Sequence, residues 1–155
     1  MSEVTPQYLV DANVEPAPKM SGAVPLIDWV QAGAWTDVGN VAIDLSEAEY
    51  YPAPPGCGPN GFALRVRGES MIEEYKPGAI IYVDPDAEPR SGDDVVVQCE
   101  SHGGAEATFK RLIIEPGETK LLKALNTAWR EQYMELTPDC RVVGVVVAQL
   151  IVNSR

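Results

Sequence analysis

Turn residues cut this chain into short pieces from Phe62 to its end, and that spacing is the strongest constraint on its fold. Asp84-Pro85-Asp86, Ser101-His102-Gly103-Gly104 and Pro116-Gly117-Glu118 each stop a regular element. Such stops recur roughly every 10–15 residues, and no amphipathic run long enough for a sizeable helix lies between them. The pieces themselves are apolar and β-branched. Phe62–Arg67 alternates, and Ala79–Val83, Asp94–Cys99, Ala107–Ile114, Lys120–Leu125 and Arg141–Val152 read as strands. Asp94–Cys99 and Ala107–Ile114 flank the Ser101–Gly104 turn as a hairpin. The pattern predicts a mainly β fold: strongly bent antiparallel sheets or a partly open barrel, with short helical turns.

The first 60 residues are less regular. Residues 1–22 are polar, contain Pro6, Pro16 and Pro18, and read as a flexible tail or linker. Val24–Val30 is apolar and extended in character. Ser46–Tyr51 could form one helical turn capped by Ser46, and Pro52–Pro59 is a loop. With 155 residues, 45% of them hydrophobic, one globular domain over 23–155 is expected.

Several function classes are disfavoured at once. No apolar run approaches the roughly 18–20 residues that span a bilayer, and the N-terminus has no basic or apolar signal segment. The expected location is therefore the cytoplasm, with no membrane partner. The net charge of −11 argues against direct contact with nucleic acid, which needs clustered Lys and Arg. An acidic surface serves solubility, or a basic protein partner. Cys57, Cys99 and Cys140 form no C-x-x-C pair, so neither a metal nor any other cofactor is expected. Cys99 and Cys140 read as buried free thiols, and Cys57, in a Pro/Gly loop, as exposed.

Nucleophilic chemistry has few candidates here. The single histidine, His102, lies in a Gly-rich turn. Gly68-Glu69-Ser70-Met71 places a serine directly after a strand, and Met71-Ile72-Glu73-Glu74 could start a helical turn. Free backbone N–H groups at that start, those of Glu69 and Ser70, could stabilise an oxyanion. Thr108-Phe109-Lys110-Arg111 places a lysine on a strand 40 residues later. A neutral lysine can accept a serine proton, but its free pKa is about 10.4. Working near neutrality needs a downward shift of about three units, or roughly 4 kcal/mol, supplied by burial. Each residue has a plainer reading on its own, Ser70 as an N-cap and Lys110 as a solvated strand position.

Taken in order, these segments resemble the LexA/UmuD/phage-repressor family of self-cleaving proteins, the S24 peptidases. The resemblance covers about residues 24–152. It rests on Gly68-Glu69-Ser70-Met71 with Lys76-Pro77-Gly78-Ala79-Ile80-Ile81, and on Thr108-Phe109-Lys110-Arg111-Leu112. Val24-Pro25-Leu26, Val30-Gln31-Ala32-Gly33 and Leu122-Lys123-Ala124-Leu125-Asn126 add to it. The resemblance implies Ser70 as nucleophile, Lys110 as general base, and the Ala32–Gly33 peptide bond as a substrate within the same molecule. Small side chains would let an extended cleavage segment lie close to Ser70, and intramolecular delivery raises its effective concentration. It also implies a homodimer, for which the apolar edge of Arg141–Val152 could pair with a second copy. Activated RecA filaments on single-stranded DNA would favour the cleavable conformer in the DNA-damage (SOS) response.

Repressors of this family carry an N-terminal helix-turn-helix domain, through which alone they would touch DNA. Only about 22 polar residues precede the matching region here. The chain is therefore expected to be the C-terminal part of a repressor. The alternative is a stand-alone UmuD-like protein that is processed by self-cleavage and binds a translesion polymerase. A signal-peptidase relative would share the serine–lysine chemistry but would need a membrane anchor.

Overall fold

The computed structural model describes residues 22–35 and 45–153. The expected tail over 1–22 lies outside the described residues, apart from Gly22. Nine strands form one sheet: β1 (Ala23–Ile27), β2 (Tyr50–Pro52), β3 (Phe62–Arg65), β4 (Ile80–Asp84), β5 (Asp94–Cys99), β6 (His102–Ile114), β7 (Lys120–Lys123), β8 (Tyr133–Glu135) and β9 (Cys140–Leu150). Their spatial order is β2-β1-β3-β4-β9-β5-β6-β7-β8. The fold is mainly β, as its turn spacing predicts. The sheet is open rather than closed into a barrel, and it is mixed, because β1 runs parallel to β3. One short helix, α1 (Trp29–Gly33), follows β1.

The core lies on both faces of the sheet's centre. Phe62, Leu64, Ile81, Val83, Val96, Phe109 and Val143 gather with Trp29, Ala32 and Trp35 of the α1 region in one cluster. The intervening residues build two clusters elsewhere: Ala63, Ile80 and Tyr82 in one, Val95, Val97, Leu112 and Leu122 in the other. Strand alternation thus turns nearly continuous apolar runs into two buried layers.

Several expectations are corrected. β9 lies between β4 and β5 in the sheet order, its first half (Cys140–Val145) pairing with β5 and its second half (Val145–Leu150) with β4, so each half keeps one side without a strand partner among the described residues. Cys99 and Cys140 are directly opposed across β5 and β9 and form a disulfide. Cys57 is buried rather than exposed, and burial pushes its thiol pKa up. The β5–β6 hairpin turns at Glu100–Ser101, with a bulge at Gln98/Cys99, so the Gly-rich segment belongs to β6. Ser46–Tyr51 is a turn leading into β2 rather than a helical turn.

Candidate active site

Ser70 stands in a run of turns between β3 and β4. Gly68, with φ of +71°, bends the chain out of β3 in a conformation that L side chains rarely adopt. The loop is closed at its neck by Val66 N–H to Ala79 O (2.8 Å) and Gly78 N–H to Val66 O (2.9 Å). Residues 70–74 are turns, with Tyr75 N–H donating to Met71 O at 2.9 Å, and no regular helix follows Ser70. The Glu69 and Ser70 backbone N–H groups nevertheless have no partner among the described residues. Downstream, the buried Tyr75 donates its hydroxyl to Asp94 Oδ2 at 2.6 Å and meets Phe109 edge to face at 4.8 Å. Asp94 is also held by Arg111, from Nε at 2.7 Å and Nη2 at 3.0 Å. The Ser70 loop is thereby tied to β5 and β6.

Lys110 lies on β6, and its Nζ donates to Ser70 Oγ at 3.1 Å and to Thr108 Oγ1 at 3.5 Å. The structure brings together the serine and lysine that the sequence places 40 residues apart. Lys110 is only 8% exposed. Its neighbour Arg111 is neutralised by Asp94, whereas no carboxylate pairs with Lys110 among the described residues. Burial without a counter-charge favours the neutral amine and holds the Lys110 pKa below its ordinary value. The Trp129 ring centroid lies 5.9 Å from Nζ, at cation–π distance. A half-buried hydroxyl next to a desolvated amine can perform nucleophilic attack with a lysine base.

Ala32 and Gly33 are placed differently. They lie in α1, which is helical. Asp28 caps it: Asp28 Oδ1 accepts from Gln31 N–H (2.7 Å) and Gln31 Oε1 from Asp28 N–H (2.9 Å), a reciprocal capping box. The Ala32 carbonyl accepts from Trp35 N–H at 3.1 Å, and the Ala32 side chain is fully buried. Trp29 Nε1 donates to Arg65 O at 3.0 Å. Gly33 is pressed against β6, where an added Cβ would meet Ala105 O at 2.0 Å, and its carbonyl accepts from Arg141 Nη2 at 2.5 Å. No hydrogen bond joins the Ala32–Gly33 bond to Ser70 among the described residues. Ala32 packs in the cluster of Ala107 and Phe109, while alternation sends the Lys110 side chain the other way.

Sequence reasoning missed four contributors. Asp28 with Gln31 has the spacing of a capping box and could have been found. Trp129, Arg141 and the contacts of Asn126 depend on long-range pairing and left no local sign.

Residues 25–147 match the Peptidase S24-like family. The chain belongs to that family. This S24-like chain is 50% identical, over 124 residues, to the prophage repressor CohE of Escherichia coli K12, covering 80% of this chain and 54% of that protein. It is 39% identical over 145 residues to the HTH-type transcriptional regulator for conjugative element R391 from Providencia rettgeri, covering 90% and 65% respectively. It is 36% identical over 136 residues to repressor protein C2 of Salmonella phage P22, covering 85% and 61%. The chain thus spans between about half and two thirds of the length of these relatives. Among the described residues no helix is long and apolar enough to cross a membrane, and no group of acidic, His or Cys side chains could hold a metal ion.

Proposed function

We propose that this S24-like chain is the self-cleaving serine–lysine protease and dimerisation module of a cytoplasmic, phage-type transcriptional repressor, over residues 23–155. The observation that carries the reading is the 3.1 Å contact between Ser70 Oγ and a buried, unpaired Lys110 amine. Neutral Lys110 takes the Ser70 proton, and Oγ attacks the Ala32 carbonyl carbon. The N–H groups of Glu69 and Ser70 are candidates to receive the oxyanion. As the C–N bond breaks, the lysine ammonium gives its proton to the Gly33 nitrogen, leaving Ala32 esterified to Ser70. Water then attacks the ester and frees the Ala32 carboxylate, with Lys110 again as base.

The helical α1 is the resting state of the substrate. Its Ala32 carbonyl is hydrogen-bonded and its side chain is buried, so α1 must unwind and leave β6 before attack. A RecA filament on single-stranded DNA would stimulate cleavage by binding the undocked conformer better, and cleavage would inactivate repression in the SOS response. A helix-turn-helix segment in the longer protein would supply DNA contact.

The test is incubation of the purified protein at neutral pH with RecA filaments, nucleotide and single-stranded DNA. Two fragments from the wild type and none from Ser70→Ala are expected. Equal behaviour of the two proteins would overturn the proposal.

A further inference from the structure

Asn126, in the loop between β7 and β8, makes contacts that the chemistry above does not use. Its backbone N–H donates to the Ser70 carbonyl at 2.9 Å. Its side-chain Nδ2 donates to the Glu69 carbonyl at 3.0 Å. Its Oδ1 accepts from Ala128 N–H at 3.0 Å, which fixes which end of the amide faces Glu69. The loop itself is anchored by Ala124 N–H to Gln132 O (2.8 Å) and Trp129 N–H to Asn126 O (3.0 Å).

One residue therefore holds two consecutive carbonyls, 57 positions away at Glu69. The Glu69 carbonyl shares a rigid peptide plane with the Ser70 N–H, and the Ser70 carbonyl shares one with the Met71 N–H. Fixing each carbonyl fixes the direction of the N–H on the opposite side of the plane. A hydrogen bond accepted by the carbonyl also polarises that N–H, making it a better donor. We infer that Asn126 is a positioning residue for the Ser70 turn, orienting the nucleophile and the Ser70 N–H, one of the two candidates to receive the oxyanion. This rests on the self-cleavage reading, and it assigns a specific step. Asn126 acts on the transition state of attack and leaves the titration of Lys110 alone, since it touches neither Nζ nor Oγ.

The experiment is the self-cleavage rate of full-length Asn126→Ser across pH 8–11, with a thermal melt of the same protein. Serine keeps an oxygen acceptor at this position, is too short to donate to Glu69 as the amide does, and adds no carboxylate near Lys110. The plateau rate should fall about 10- to 100-fold, below the loss from deleting an oxyanion donor outright. The pH midpoint should match the wild type, and the melting temperature should stay within a few degrees. Should Asn126→Ser fail to fold, Asn126→Ala carries the same readout. A plateau within twofold of wild type, a displaced midpoint, or a rate loss matched by a collapse of the melt overturns the inference while self-cleavage stands. A wild type that never cleaves overturns both.

Discussion

The Ser70–Lys110 pair and the Ala32–Gly33 bond both rest on β6, and they are prepared to opposite degrees. The pair is assembled: hydroxyl and amine are within hydrogen-bond reach, the amine is buried, and the Ser70 loop is tied down by Tyr75, Asp94 and Asn126. The bond is put away: it is helical, capped by Asp28, and held by Arg141. Such an arrangement separates chemical competence from access. Under the proposed self-cleavage, the rate would be governed by the population of the undocked segment, which small energies can change severalfold.

The first way to break this comparison is to remove the chemistry. Ser70→Ala should lower self-cleavage at least about a thousandfold while leaving the melt nearly unchanged, because one half-buried hydroxyl is lost. Gel densitometry over days measures it. Loosening the latch should do the reverse. Arg141→Ala removes a charge-assisted hydrogen bond to the Gly33 carbonyl, and cleavage should rise about tenfold if that bond contributes on the order of 1.4 kcal/mol. A rate equal to or below wild type would show that Arg141 does not hold the resting state. Asp28→Ala deletes the helix cap, worth about 1 kcal/mol, and should raise the rate about fivefold in the same assay.

The smallest effect concerns stability. Burial lowers the Lys110 pKa in the folded chain, so between the folded and unfolded values the unfolded state binds more protons and stability rises with pH. Below both values the folded chain bears the full cost of a buried ammonium. Lys110→Met should abolish cleavage yet gain about 1 kcal/mol at neutral pH, measured by urea denaturation. The cleavage rate of the wild type should climb with pH and reach half its plateau below the ordinary lysine value of 10.5.

The sequence was informative where local pattern and final environment agree. Asp94–Cys99 is a β-branched run with clear stops, and β5 has those bounds. The hairpin after it turns at Glu100–Ser101, although Gly103–Gly104 look more turn-like, because the bulge at Cys99 tightens the strand ends. β9 reads as an edge or a centre equally well, since valines on both faces do not name their neighbours. The Cys99–Cys140 pairing follows from the β5–β9 register and has no local sign. Five residues of helix are too few for a periodicity, so α1 was legible only through Asp28 and Gln31. Ser70 and Lys110 look like a cap and a solvated lysine locally. Family resemblance singled them out, and the burial of Lys110 that distinguishes it arises only in the folded sheet.

The most direct test of the central claim is intact-mass analysis of the full chain after incubation at pH of about 10, where lysine loses its proton without help. The account predicts two products that meet at the Ala32–Gly33 junction, absent from Ser70→Ala treated alike. A chain that stays whole, or is cut elsewhere, or is cut equally without Ser70, would contradict it.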